Sequence, residues 1–328
     1  MSIPRFWLDG GAPAHALAPL AHLYGVASTL RRRAYEKGWW RRPQLPVPVL
    51  VVGNLFVGGT GKTPFVVWLV EQLQERGWHP AVVARGYGGR AGKGPIPVHE
   101  DEDPTRVGDE PLLLARRTGA PVYVGSDRPA AVMAAHQHTG CDVVVSDDGL
   151  QHYRMRRRAE IIILDAQRRL GNGQLLPAGP LREPPSRLCE VDLVAINGDP
   201  VAESPCTFQL QPGVPRAVDG SARPWCGGPA HLVAGIGHPE RFFATAVGAG
   251  YEVAGYHPFP DHHPFRPEEL AFGDRVPVLM TEKDSVRSRH LPQASWAWYL
   301  PVTLIPSAVL EEVVDGLLAN LAVGEQRT

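Results

Sequence analysis

One stretch constrains this chain more than any other. An apolar run, Val47-Pro48-Val49-Leu50-Val51-Val52-Gly53, breaks into a Gly-rich turn that ends in Gly61-Lys62-Thr63 and opens into an amphipathic segment, Phe65 to Arg76. A phosphate-binding loop requires this strand–loop–helix order. Gly58, Gly59 and Gly61 let successive backbone N–H groups face one anion. The helix N-terminus adds its partial positive charge. Lys62 is placed to reach outer phosphates and the Thr63 hydroxyl to ligate Mg²⁺. The strict spacing has glycine six residues before the lysine, where this chain has Phe56.

A second signal lies downstream. Val143-Val144-Val145-Ser146 ends in Asp147-Asp148, the arrangement with which a phosphate-loop protein holds Mg²⁺ and its water. Between the two, Ala81-Val82-Val83-Ala84 reads as a buried strand, and Arg85 and Arg90 on the Gly-rich loop after it are candidate phosphate clamps. Pro121 to Val124, Glu160 to Asp165 and Val191 to Asn197 read as further buried strands, and 127–138 as a helix. Residues 91–104 read as a long polar loop. The alternation predicts a parallel α/β sheet.

From about residue 200 the character shifts, and a second α/β unit starts at His231-Leu232-Val233-Ala234. It includes a helix from Pro267. Two alternating stretches, at Thr207-Phe208-Gln209-Leu210 and Trp296 to Leu304, read as strands able to pair as a linker between the two units, and 307–323 as a terminal helix. At 328 residues the chain has room for about two domains. The domains expected are an N-terminal segment (1–45), a nucleotide-binding domain (46–205), a smaller α/β domain with linker strands (206–306) and the terminal helix (307–328).

Several features stay two-sided at this level. Leu17, Leu20, Leu23, Tyr24, Ala27, Leu30 and Ala34 recur at helical spacing, followed by Arg31, Arg32, Arg33, Lys37, Arg41 and Arg42 around Trp39 and Trp40. That suits an interfacial membrane helix or a helix packed on the protein with a solvated basic end. The apolar part is too short to span a bilayer, and no signal-peptide cleavage pattern follows it. Asp109 and Glu110 open a helix, as an acidic first turn or as carboxylates near the phosphates. His257, His262 and His263 cluster without acidic or cysteine partners at zinc spacing. Thr281-Glu282-Lys283-Asp284 has its lysine one place late for guanine reading. A net charge of −1 argues against nucleic acid as partner, and four scattered cysteines fit a reducing compartment.

The motifs converge on one family. Gly53-Asn54 with Gly58-Gly59-Thr60-Gly61-Lys62-Thr63-Pro64 carries the resemblance, as do Arg85-Gly86-Tyr87-Gly88, Gly108-Asp109-Glu110-Pro111 and Asp147-Asp148-Gly149-Leu150-Gln151-His152. It continues through Leu176-Pro177-Ala178-Gly179-Pro180-Leu181-Arg182-Glu183, Ala234-Gly235-Ile236-Gly237, Arg241-Phe242-Phe243, Asp261-His262 and Thr281-Glu282-Lys283-Asp284. In this order the chain resembles the tetraacyldisaccharide 4′-kinase (lipid A 4′-kinase) family of Gram-negative bacteria.

The resemblance implies a P-loop NTPase-like parallel-sheet domain, a smaller C-terminal α/β domain and an N-terminal amphipathic helix on the cytoplasmic face of the inner membrane. It implies transfer of the ATP γ-phosphate to the 4′-hydroxyl of a tetraacylated glucosamine disaccharide 1-phosphate, making lipid IVA, by a monomer. Gly58, Gly59, Thr60, Gly61, Lys62 and Thr63 would bind ATP. Thr63, Asp147 and Asp148 would serve Mg²⁺. Asp109 would be general base, His262 its partner across the interdomain cleft, and Arg182 a stabiliser of transferred charge. The competing readings are a phosphate-loop ATPase switch and a kinase for a soluble metabolite. Neither needs the N-terminal segment.

Overall fold

The structure, a computed structural model, describes residues 4–86, 89, 94–274 and 276–321. Arg90, one of the two candidate clamps, lies outside them. Strands are numbered in chain order. A nine-stranded sheet runs, edge to edge, β14 (Val302–Pro306), β8 (Thr207–Pro212), β7 (Leu193–Asn197), β6 (Ala159–Asp165), β1 (Val49–Gly53), β5 (Val143–Asp147), β2 (Pro80–Ala84), β4 (Val122–Val124) and β3 (Ile96–Val98). Only the edge strands β14 and β3 are antiparallel to their neighbours. A five-stranded sheet runs β11 (Val253–Pro258), β10 (Ala230–Ala234), β12 (Val278–Thr281), β13 (Ala297–Leu300) and β9 (Arg216–Ala217), with β9 antiparallel.

The helices among the described residues are α1 (Phe6–Asp9), α2 (Ala12–Glu36), α3 (Lys62–Glu75), α4 (Pro104–Val107), α5 (Asp109–Thr118), α6 (Arg128–Thr139), α7 (Pro239–Gly248), α8 (Glu282–Ser288) and α9 (Ala308–Ala319). β1 is buried along its whole length, as the central strand of a sheet covered on both faces must be. One face carries α3, α5 and α9, with Phe65, Leu69, Leu73, Leu112 and Leu310 fully buried there. The other carries α6, with Ala131, Val132 and Ala135 against Val49, Val51 and Val144. β1 sits between β5 and β6. Chain direction across the sheet reverses around it, and in such sheets the ligand crevice opens there at the strand ends.

The structure differs from expectation in four places. The 91–104 loop contains β3. The helix expected from Pro267 is a single 3₁₀ turn, Pro267–Leu270. The stretch from Trp296 to Leu304 is two strands in different sheets, split at Pro301, which has no N–H to continue a ladder. β8 and β14, read as linker strands, do pair with each other, but they extend the nine-stranded sheet instead of standing between the two sheets, with α9 packed behind β8.

Candidate active site

The loop after β1 is held by its carbonyls. Asn54 Nδ2 donates to Phe56 O (2.6 Å) and Gly58 O (2.9 Å). Arg168 Nη2 donates to Gly59 O. Asn197 Nδ2, from the end of β7, donates to Thr60 O (3.2 Å). In a trans peptide the N–H points opposite to the C=O. Fixing the carbonyls of Gly58, Gly59 and Thr60 therefore aims the N–H groups of Gly59, Thr60 and Gly61 away from Asn54, Arg168 and Asn197, the disposition a phosphate cradle requires. Gly61 has φ 92°, and a Cβ there would stand 2.6 Å from Asn197 Nδ2, so a side chain at this position would strain the backbone and displace Asn197 from Thr60 O. Phe56, the departure from the strict pattern, is buried and bridges Leu181. It ties the loop to the segment carrying Arg182, with Val57 N–H to Pro180 O (3.0 Å) and Arg182 N–H to Leu55 O (2.8 Å) on either side.

Lys62 Nζ donates to Asn54 Oδ1 (3.1 Å) and Asp148 Oδ1 (2.7 Å). Arg182 meets both Asp148 oxygens, at 3.0 and 2.8 Å, and Asn54. Burial works against ionisation of Asp148, but Lys62 and Arg182 hold its carboxyl well below the usual range. Asp148 has φ 49°, a strained setting for a residue other than glycine. Its neighbour Asp147 is the opposite case. Burial pushes that carboxyl up to about 6, Lys62 opposing and the charges of Glu110 and Asp148 adding to it. Its Oδ1 has no hydrogen-bond partner among the described residues. An orphaned, desolvated carboxylate oxygen beside an anion cradle is a suitable donor for a hard cation. Among the described residues no three His, Cys, Asp or Glu side chains converge on a metal position. Mg²⁺ needs fewer, since it takes one or two carboxylates plus substrate oxygens.

Asp109 is buried at the first turn of α5. Its Oδ2 lies 2.8 Å from His262 Nδ1 and 3.1 Å from Arg287 Nε. His262 Nε2 lies 3.4 Å from Lys283 Nζ, which also approaches Glu110 (3.3 Å) and Asp261 (3.6 Å). His263 turns away to Glu269 (2.9 Å). Two motifs quoted above support this corner. Asp284 receives Gly235 N–H (2.9 Å) and Thr281 Oγ1 (2.6 Å) and pairs with Arg287, and His262 N–H bonds Gly235 O. Lys283 and Asp284 thus brace the Asp109–His262 pair.

The sequence reading brought together Lys62, Thr63, Asp147, Asp148 and Arg182, and paired Asp109 with His262. It missed Asn54, Arg128, Arg168, Asn197, Lys283 and Arg287 as site residues. Arg128 is wholly buried and donates to Val83 O (2.6 Å) and Asp147 O (2.8 Å), fixing two strand ends. In sequence it is merely the start of a helix. Arg85 is exposed at the end of β2.

A family model described as LpxK, tetraacyldisaccharide-1-P 4′-kinase, matches residues 13–319. The tetraacyldisaccharide 4′-kinase of Halorhodospira halophila is 66% identical over 327 residues, covering 100% of both chains. That of Alkalilimnicola ehrlichii is 55% identical over 329 residues, 97% of each. A crystal structure of LpxK from Aquifex aeolicus in complex with ATP superposes with TM-score 0.81 at 26% identity, over 94% of this chain and 99% of that one. The family signature thus spans the loop, the paired aspartates and the Asp–His corner alike, and the chain belongs to the tetraacyldisaccharide 4′-kinase family.

Proposed function

We propose that this chain is an ATP-dependent kinase of lipid A biosynthesis. It transfers the γ-phosphate to the 4′-hydroxyl of a tetraacylated glucosamine disaccharide 1-phosphate. One observation carries the reading at the level of the site. Asp109 and Glu110, adjacent at the start of α5 in the large-sheet unit, meet His262 (2.8 Å) and Lys283 (3.3 Å) of the small-sheet unit, so the candidate base stands where the two units join.

The roles of individual residues form part of the proposal. The N–H groups of Gly59, Thr60 and Gly61 cradle the phosphates, with Gly58 allowing the turn, and Lys62 counters their charge. Thr63, Asp147 and Asp148 would hold Mg²⁺, which when bound neutralises phosphate charge. Asp109 takes the proton of the 4′-hydroxyl as its oxygen bonds to phosphorus and the bond to the ADP oxygen breaks. A carboxylate is a weak base, but a loose transition state delays the proton transfer until the oxygen has become acidic. His262 aligns that carboxylate, and Arg182 stabilises the developing charge. The unit built on the small sheet serves as the acceptor-side domain.

We further propose peripheral contact with the cytoplasmic face of a bacterial inner membrane. Supporting it, α2 exposes Leu20, Leu23, Val26 and Leu30, and Trp39 and Trp40 follow. No helix among the described residues is long and apolar enough to cross a membrane.

The test is γ-labelled ATP with a tetraacylated disaccharide 1-phosphate in detergent. Label should appear on the sugar. Label released only as inorganic phosphate would overturn the reading. Asp109→Ala should lower kcat by about 100-fold or more while ATP affinity holds.

A further inference from the structure

The motif Arg241-Phe242-Phe243 is unused by the chemistry above. Its arginine sits on α7, in the small-sheet unit, and its guanidinium pairs with Asp165 at the end of β6 in the large sheet. Arg241 Nη2 also approaches Gln167 Oε1 (3.3 Å). Asp165 is buried and accepts the N–H groups of Gln167 (3.2 Å) and Arg168 (2.9 Å). The Arg168 guanidinium lies 3.6 Å from Asp165 and donates to Gly59 O, above the ring of Phe56.

The Arg168 side chain is only 10% exposed, and its Nε and Nη1 have no hydrogen-bond partner among the described residues. Asp165 is therefore its main counter-charge. Of the three groups that fix the loop carbonyls, Asn54 and Asn197 belong to strand ends of the large sheet. Arg168 alone shares its acid with the other unit.

We propose that Arg241, Asp165 and Arg168 form a relay through which the placement of the small-sheet unit sets the Gly59 carbonyl, and with it the affinity of the loop for ATP. Arg168 and Arg241 are positioning residues that act through Gly59. With the relay intact the Thr60 N–H is held toward the phosphates. With Arg241 withdrawn, Asp165 pulls harder on Arg168 and the carbonyl loses its fixed partner. Because coupling is reciprocal, bound ATP holds the small-sheet unit in place. The relay rests on the kinase reading only for its consequence in turnover.

The test uses the full-length protein and calorimetric titration with ATP, without acceptor. Arg241→Ala should weaken ATP binding by about 5- to 10-fold, with Arg241→Lys recovering part of the loss. Adding Arg241→Ala to Arg168→Lys should cost less than it does in the wild type, because both act on one carbonyl. Unchanged ATP affinity in Arg241→Ala, a lower Tm with no affinity change, or fully additive losses would each overturn the relay. Failure of the lipid-kinase reading would show differently, as normal ATP binding with no transfer to the sugar.

Discussion

At the scale of single residues, the loop is organised from its outer side. Asn54 touches two loop carbonyls, Lys62 and Arg182 at once. Asn54→Ala is expected to weaken ATP binding at least tenfold. It should also cost about 2–3 kcal/mol of stability, since each lost bond contributes roughly 1 kcal/mol and more where the partner is charged. Titration with ATP and urea unfolding check both, and an unchanged affinity would remove Asn54 from the loop's support. The glycines, Lys62 and the paired aspartates stand out in the sequence because a Gly-rich loop and an acidic strand end are local patterns. Arg168 and Asn197 do not, because they reach the loop through strand order, more than a hundred residues along the chain. Phe56 looked like a defect for the same reason. Its justification is Leu181, which the topology brings alongside.

At the scale of elements, α2 inverts the usual helix pattern. It docks through small residues, with Ala14, Ala21 and Ala34 buried and Gly25 against Leu175, while Leu20, Leu23 and Leu30 face outward. It is fixed by Tyr24 Oη to Arg182 O (2.9 Å) and by an ion pair between Arg32 and Glu190. Ahead of it, Trp7 Nε1 donates to Pro177 O (3.0 Å). The two sequence readings of this segment, packed helix and interfacial helix, describe its two faces. Helical periodicity finds such a stripe but does not say whether protein or lipid covers it. Exchanging Leu20, Leu23 and Leu30 for Asp should reduce binding to anionic vesicles by at least about tenfold, with Tm unchanged. Flotation and thermal melts distinguish the outcomes. A large drop in Tm with vesicle binding intact would mean that the stripe packs on protein.

At the scale of the whole molecule, the two units meet through charged groups as well as packing. Arg117 on α5 and Glu282 on α8 form one such contact, largely buried and outside the catalytic corner. Both Glu282 oxygens lie 2.9 Å from Arg117 Nη1, and Arg117 Nη2 reaches Val302 O. Burial raises the Glu282 carboxyl above its ordinary range even with Arg117 beside it. Such a pair adds little net stability when whole, but breaking it strands a charge. Arg117→Met should therefore destabilise the fold by about 3 kcal/mol at pH 8. The sign of the pH dependence follows from the raised pKa. The folded state binds a proton at Glu282 more readily than the unfolded chain does, so the penalty is present above the folded pKa and vanishes below the unfolded value. At pH 5 the variant can fold with Glu282 neutral, and the gap to wild type should narrow. Urea unfolding of both proteins at the two pH values measures this, since the other carboxylates titrate alike in each. A gap of equal size at pH 5 and pH 8 would assign the loss to packing. The contact would then hold the units together by shape rather than by charge.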